Sequence, residues 1–400
     1  MLQGPASGRS TIRSAIRRRT CERACDRSGC STTLRSNRCE PRSIEYSAPP
    51  GSAADQHWFA SPGWPALLAS FGAVTASTVA KVALAPEGIR PWIADAVEAG
   101  GGTVVAPADA DVLVWAEPAK ADALRELLHG EASHVRWVQL PWAGIEPYVD
   151  VIAEDSTSDP GRRVWTCAKG VYAQPVAEHA LTLLLAGLRG LGTYGRASSW
   201  APPQGTNLFG AKVVVLGGGG ITERLLPLLE PFGADITVVR RRPGLATPGA
   251  AARPMAGAAR EVGVTELDDA LDGALAVVLA LALTPETIGI IGRPQLERMH
   301  ERGWIVNVAR GRHIVTDDLV AVLQERRIGG AGLDVTDPEP LPDDHPLWTL
   351  DNCIITPHVG NTPEMALPLL AERITANVRR WSTNNSGATL LGLVDPALGY

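Results

Sequence analysis

VVVLGGGGIT, residues 213–222, is an apolar run that ends in four consecutive glycines. The run predicts a buried strand, and the sequence ITERLLPLLEPFG that follows the turn predicts a helix. In such a strand–turn–helix unit, Gly217 permits the tight turn, and Gly219 lets the backbone approach a pyrophosphate at the helix N-terminus. Thr222 stands where the third glycine of a G-x-G-x-x-G pattern would be, a position that mainly affects how closely the helix packs on the strand. The stretch therefore predicts a dinucleotide-binding unit with one departure from the usual pattern.

DITVVRRRP, residues 235–243, is the next predicted strand, and it ends in three consecutive arginines. About twenty residues after the turn, an acidic side chain usually hydrogen-bonds the ribose 2′-hydroxyl of NAD. Arg240 occupies that place here, and a guanidinium forms charge-assisted bonds with the 2′-phosphate of NADP. A solvated basic loop is the structural alternative. We predict a site that favours NADP(H) through Arg240 and Arg241, with NAD(H) as the alternative cofactor.

The charge of the chain is unevenly distributed. The net charge is −6, yet residues 1–50 hold ten arginines against four acidic residues, so the remaining 350 residues carry −12. An acidic body argues against a nucleic-acid groove, because the affinity of such a groove rests on Lys and Arg. No apolar run reaches the ~18 residues that a membrane span needs. We therefore predict neither a nucleic-acid partner nor a membrane partner.

Residues 1–76 are rich in Arg, Ser, Pro and Gly and show no sustained helical or strand period, which predicts a disordered extension. Four of the six cysteines lie in it, at Cys21, Cys25, Cys30 and Cys39. Their spacing matches no paired zinc motif, so no metal is predicted, and a metal-binding regulator is a weak alternative. Cys167 and Cys353 lie far apart in apolar runs. We predict that both are buried free thiols in a reducing compartment, the cytoplasm.

Short apolar runs alternate with helical stretches from Lys81 onward, and a long apolar helix begins at Val176 before the glycine-rich unit starts a second series. Strands that alternate with helices predict parallel sheets covered on both faces. We predict an α/β fold of two Rossmann-like, doubly wound parallel-sheet domains with an interdomain cleft. Residues 77–175 form the substrate domain, which a C-terminal helix at 363–385 completes, and residues 176–362 form the dinucleotide-binding domain.

Three predicted strands further along each end in a polar residue of catalytic type. Arg310 follows the run WIVNVA, Glu339 follows the run GGAGLDV, and His358 ends the run NCIITPH. In a doubly wound sheet, the carboxyl ends of the strands line the ligand crevice. A lone His or Arg at a strand end is usually structural, but an Arg can hold a carboxylate and a His can carry a hydroxyl proton. Together the three predict reduction of a 2-oxo acid beside a nicotinamide.

The motifs VAEHAL, LTPET, NVARG, AGLDV with DPEPLP, and TPH occur in this order. With the glycine turn they resemble the D-isomer-specific 2-hydroxyacid dehydrogenase family, over residues 80–385 and most strongly over 176–362. The resemblance implies that His358 protonates the substrate carbonyl, and that Glu339 keeps the imidazole charged and oriented. It implies that Arg310 binds the substrate carboxylate. It also implies a homodimer formed through the cofactor domain, with the long apolar helix as either the interface or simply core.

The resemblance also implies the residues that bind substrate and cofactor. PWAGIE resembles the loop whose backbone N–H groups hold the substrate carboxylate, and the bulk of Trp142 suits a small oxo acid. The predicted substrate-binding residues are Trp142, Ala143, Gly144 and Arg310. The predicted cofactor-binding residues are Gly217, Gly219, Gly220, Ile221, Arg240, Arg241, Thr284, Thr287, Val308, Ala309, Asp334 and Gly360. Among these, Asp334 matches a position on the nicotinamide side.

Three residues depart from the family pattern: Thr222, Arg240 and Thr316, and the sequence offers no account of the third. A short-form phosphoglycerate dehydrogenase remains an alternative. A formate dehydrogenase fits less well, because its His is partnered by Gln where this chain has Glu339. A dinucleotide-sensing binding protein, like the co-repressors built on this fold, can keep the same three residues. Rapid NADPH oxidation with glyoxylate or hydroxypyruvate would indicate an enzyme instead.

Overall fold

The computed structural model describes residues 79–395, apart from 87, 89, 118, 119, 159, 160, 162, 245–258 and 385. The predicted disordered extension and its four cysteines lie outside the described residues. In the described part, Cys167 and Cys353 are buried and free, as predicted. No helix in that part is long and apolar enough to cross a membrane.

Two parallel sheets organise the described residues. The strands of the first sheet are β1 (Lys81–Ala85), β2 (Thr103–Val104), β3 (Val112–Trp115), β4 (Trp137–Gln139) and β5 (Val164–Thr166), in the order β2-β1-β3-β4-β5. The strands of the second sheet are β6 (Lys212–Leu216), β7 (Asp235–Val239), β8 (Arg260–Val262), β9 (Ala276–Leu279), β10 (Trp304–Asn307), β11 (Gly330–Leu333) and β12 (Cys353–Ile355), in the order β12-β11-β10-β9-β6-β7-β8. All pairs between these strands are parallel, which confirms the predicted α/β fold class.

Helices connect the parallel strands. The helices of the first part of the chain are α1 (Trp92–Ala99), α2 (Ala121–His129), α3 (Val149–Ser158), α4 (Ala173–Leu188) and α5 (Leu191–Arg196). Those that follow are α6 (Gly220–Leu229), α7 (Leu267–Leu271), α8 (Arg293–Leu296), α9 (Thr316–Gln324) and α10 (Pro363–Asn384). Buried aliphatic side chains lie on both faces of the second sheet, as a fully covered parallel sheet requires.

The order of the second sheet positions its ligand crevice. The chain runs from β6 outward through β7 to β8, then returns to β9 on the other side of β6 and continues to β12. The strand order therefore reverses between β6 and β9. In doubly wound sheets, ligands bind at the carboxyl ends of the strands beside such a switch point. The glycine turn leaves β6 at that place.

Helix α10 returns from the second sheet to the first. Its Trp381 ring lies 5.6 Å from the ring of Trp137 in β4, and its Ser382 Oγ accepts a hydrogen bond from Ala80 N at 3.2 Å. Helix α4 packs into the second sheet, where a Cβ at Gly187 would lie 2.2 Å from Trp304. That face of α4 is core within the chain. The domain boundaries at 175/176 and 362/363 stay predictions.

Candidate active site

The glycine turn has the geometry of a phosphate-binding loop. Gly217 has a φ of +106°, and a Cβ there would lie 2.3 Å from Ala280 O, so only glycine fits. Gly219 is the extended N-cap of α6, and a Cβ at this residue would meet nothing within 4 Å. Gly220 and Ile221 begin the helix. An open backbone at a helix N-terminus fits the pyrophosphate of a dinucleotide.

Thr222 has an internal role that the sequence did not indicate. It is fully buried in α6, and its Oγ1 donates a hydrogen bond to Gly217 O at 2.7 Å. The sequence predicts that this position affects the packing of the helix on the strand. In the structure its hydroxyl also bonds the first turn of α6 to the start of the glycine turn.

Arg240 lies against the glycine turn. A Cβ at Gly218 would lie 2.8 Å from Arg240 Nε, so the arginine side chain crosses directly over this glycine. Arg240 Nη1 also lies 3.5 Å from Glu261 Oε2 of β8. Arg241, next to it, is exposed. A guanidinium therefore stands beside the glycine turn, together with a carboxylate that was not predicted from the sequence, because β8 was not predicted.

His358 and Glu339, which the resemblance pairs in catalysis, are in contact. His358 Nδ1 lies 2.7 Å from Glu339 Oε1, and both side chains are about half exposed. His358 has a φ of +54°, an uncommon conformation for a residue with a side chain. Such backbone strain clusters at functional sites, where the surrounding structure enforces it.

Asp334 supplies the constraint that holds the backbone of His358. Asp334 O accepts a hydrogen bond from His358 N at 2.8 Å, and its buried carboxylate accepts bonds from Val359 N and Gly360 N, each at 2.9 Å. Burial acts to raise the pKa of Asp334, but hydrogen bonds from His179, Thr356 and these two N–H groups outweigh it and lower the pKa to about 2. Asp334 and Gly360, predicted as cofactor contacts, are thus bonded to each other.

Arg310 meets the predicted substrate loop. Its Nη1 donates to Ala309 O at 2.8 Å, and a Cβ at Gly144 would lie 2.0 Å from its Nη2. Its Nε donates to Glu146 Oε1 at 2.9 Å. Glu146 lies within PWAGIE, but its role was not predicted, because an acidic residue in a loop carries no sequence signal of a partner 164 positions away.

The turn that carries Arg310 is closed by Asn307, a residue that the sequence analysis also missed. The Asn307 side chain is buried at the end of β10, where Nδ2 donates to Arg310 O at 2.8 Å and Oδ1 accepts from Ala309 N at 3.0 Å. Val308 and Ala309, predicted to contact the cofactor, are buried within this turn. Asn307 thereby fixes the backbone from which the Arg310 side chain extends.

A buried histidine connects this turn to the loop after β9. His313 Nδ1 lies 3.0 Å from Thr287 O, and burial lowers the pKa of the imidazole. Thr287 Oγ1 accepts a hydrogen bond from Thr284 N at 2.8 Å and donates to Ala282 O at 2.9 Å. Both predicted threonines therefore shape a tight turn beside the Arg310 loop.

Two further positions now have a physical account. Thr316, the departure that the sequence left unexplained, donates a hydrogen bond from Oγ1 to Asp337 O at 2.8 Å, in the loop that carries Glu339. Trp142 packs edge-on against Tyr172 at 6.4 Å and lies under the Arg90 guanidinium at 5.8 Å. The predicted substrate loop thus presents a fixed aromatic side chain, and Ala143 follows it as an exposed residue.

The protein-family model described as "D-isomer specific 2-hydroxyacid dehydrogenase, NAD binding domain" matches residues 181–360 of this chain. A protein from Corynebacterium melassecola, described as uncharacterized in the proB 3′ region, is 36% identical over 67% of this chain and 84% of its own. Glyoxylate/hydroxypyruvate reductase A of Serratia proteamaculans is 30% identical over 74% of this chain and 88% of its own.

A solved structure agrees with these matches. The D-isomer specific 2-hydroxyacid dehydrogenase from Xanthobacter autotrophicus Py2, in complex with NADPH and MES, is 25% identical, with a TM-score of 0.65 over 81% of this chain and all of that one. Fold, site and relatives together define an NAD(P)-dependent oxidoreductase. The chain belongs to the D-isomer specific 2-hydroxyacid dehydrogenase family.

Proposed function

We propose that the chain reduces a small 2-oxo acid, such as glyoxylate or hydroxypyruvate, to the 2-hydroxy acid, with NADP(H) as the preferred cofactor. The observation that carries the proposal is the 2.7 Å contact between His358 Nδ1 and Glu339 Oε1, at the carboxyl edge of the dinucleotide-binding sheet. The reductase named above in Serratia proteamaculans supports the choice of substrate class.

The side chains divide the work of the reduction. When bound, the nicotinamide cofactor supplies the hydride that the carbonyl carbon accepts. Glu339 engages Nδ1 of His358, so Nε2 is the ring nitrogen left to give a proton to the carbonyl oxygen. The contact with the Glu339 carboxylate fixes the orientation of the ring. Arg310 and the backbone of Ala143 and Gly144 hold the substrate carboxylate.

The proposed preference for NADP(H) rests on Arg240. Its side chain crosses Gly218 and so stands next to the turn that would hold the pyrophosphate. A guanidinium there can fork onto a 2′-phosphate. Glu261, 3.5 Å from Nη1, partly neutralises this charge and would share the arginine with the phosphate. Binding of NAD(H) remains the alternative.

We also propose the organisation of the enzyme. Residues 77–175 with 363–385 act as the substrate domain, and residues 176–362 act as the dinucleotide domain. The contacts of α10 with β4 and the match of the family model to residues 181–360 support this division. The buried free thiols support a reducing compartment, the cytoplasm.

A panel of small 2-oxo acids tests the proposal. Each acid is offered with NADPH and with NADH, and the loss of reduced-nicotinamide absorbance is followed. We expect turnover of glyoxylate or hydroxypyruvate, with a higher kcat/KM for NADPH than for NADH. Cofactor binding without turnover of any acid would favour a dinucleotide-sensing protein.

The arginine is tested separately. Arg240→Ala should weaken NADPH binding and leave NADH binding nearly unchanged, because only NADPH carries the 2′-phosphate. Arg260→Ala removes an exposed guanidinium from β8 and is the matched control. Equal use of both cofactors by the wild-type enzyme would contradict the preference.

A further inference from the structure

Glu146 holds the guanidinium of Arg310 from the other sheet of the protein. It begins a single helical turn, Glu146–Tyr148, in the loop after β4, whereas Arg310 follows β10. Arg310 Nε donates to Glu146 Oε1 at 2.9 Å, and Nη2 donates to Glu146 Oε2 at 3.4 Å. The pair therefore joins the substrate loop of the first sheet to a strand end of the second.

The donors of Arg310 show how a substrate fits beside this pair. A guanidinium has five N–H groups. Nε and one N–H of Nη2 face Glu146, and one N–H of Nη1 bonds Ala309 O. Among the described residues, these contacts use three of the five N–H groups, so one N–H remains on each of Nη1 and Nη2. The end-on fork that a planar carboxylate accepts consists of one N–H from each terminal nitrogen, whereas Glu146 lies on the edge formed by Nε and Nη2. The pair leaves the fork open.

The packing of the loop restrains the pair further. A Cβ at Gly144 would lie 2.0 Å from Arg310 Nη2 and 2.2 Å from Glu146 Oε2, so the loop backbone lies directly on both groups. The Arg310 side chain is 35% exposed and the Glu146 side chain 43%. An arginine with this exposure samples several rotamers unless a partner fixes it. The carboxylate of Glu146 is that partner.

We infer that Glu146 is a positioning residue for the reaction. It fixes the Arg310 guanidinium so that its end-on fork faces the bound oxo acid, and it acts only through Arg310. The inference rests on the proposed function, because it takes Arg310 as the group that binds the substrate. The opposing model is that Glu146 merely occupies the guanidinium and leaves when the substrate carboxylate arrives.

Kinetics of Glu146 variants separate the two models. Glu146→Ala should lower kcat between about tenfold and 100-fold, since small misplacements of a binding group cost that much. Glu146→Gln keeps an acceptor for Nε and should recover part of the loss. The Kd for NADPH and the Tm should stay at wild-type values in both variants. Asp150→Ala, an exposed acidic residue in α3, is the matched control. Wild-type kcat in Glu146→Ala, or a lower KM in both variants, would overturn the inference.

A crystal structure of the wild-type enzyme with NADPH and oxamate decides the geometry directly. We expect Glu146 to remain on Nε of Arg310 while the oxamate carboxylate takes the two terminal nitrogens. Oxamate in place of Glu146 on Nε, or no oxamate on the guanidinium, would overturn the inference. If the wild-type enzyme reduces no 2-oxo acid, the proposed function fails, and this complex still decides the role of Glu146.

Discussion

Polar side chains next to the proposed catalytic residues fix the geometry of the site. Asp334 bonds the backbone on the C-terminal side of His358, and Asn307 closes the turn before Arg310. Thr316 bonds the loop that carries Glu339. The motifs predicted the proposed catalytic residues. They did not predict the hydrogen bonds that hold the loops of these residues, because a hydrogen bond to a distant backbone group leaves no spacing pattern in the sequence.

The low pKa of Asp334 predicts a dependence of stability on pH. Its folded pKa is about 2, against an ordinary value of 3.8. The stabilisation from Asp334 is therefore fully present above that ordinary value and is lost as the pH falls toward 2. It amounts to at most about 2 kcal/mol.

Urea unfolding of the wild-type protein and of Asp334→Asn measures this dependence. The difference in unfolding free energy between the two should be constant above about pH 5 and should shrink below about pH 4. Asp150→Asn, at an exposed position, should follow the wild-type curve. A difference that grows on acidification would show that hydrogen bonds do not hold the Asp334 carboxylate in its charged form.

Elements whose pattern is local were predictable from the sequence. The apolar run before Gly217 is β6, and the run before Arg240 is β7. Strand β8 was not predicted, because Arg260–Val262 is a three-residue strand with two charged residues and only one apolar residue. Helix α3, Val149–Ser158, was also missed, because three of its last four residues are Ser or Thr, which compete with the helix backbone. Because β8 was not predicted, the ion pair between Arg240 and Glu261 of β8 was not predicted either.

Two alanine substitutions in the glycine turn should have opposite consequences. Gly217→Ala forces a Cβ into contact with Ala280 O at a positive φ, so we expect a lower Tm. Gly219→Ala meets open space, so its Tm should match that of the wild type, while the added methyl group obstructs the pyrophosphate. Thermal unfolding and an NADPH fluorescence titration check both. Unchanged NADPH affinity in Gly219→Ala would mean that the phosphate lies elsewhere.

At the scale of the whole molecule, the sequence predicted the two sheets but not where they touch. The motifs place Arg310 after one strand and Gly144 after another. Their contact through Glu146 depends on how the two sheets face each other. That relation comes from tertiary packing, which no single stretch of sequence contains.

We predict that the enzyme is a homodimer. Trp200 is fully exposed, and Leu191 and Phe209 are 57% and 68% exposed. The three residues lie close together in the sequence, and a contiguous exposed apolar surface there would be one that a partner covers. Light scattering after size exclusion should give twice the mass of the chain, and the double substitution Trp200→Ser and Phe209→Ser should shift it toward the monomer. A wild-type monomer at micromolar concentration would contradict the prediction.

The most direct test of the proposed function compares the wild-type enzyme with His358→Ala in NADPH oxidation by glyoxylate and hydroxypyruvate, with NADPH binding measured on both proteins. We predict that the variant binds NADPH as the wild type does, and that kcat falls by a factor of about 100 or more, because the proton donor is lost. Retained turnover in His358→Ala would contradict the assignment of the imidazole that Glu339 orients.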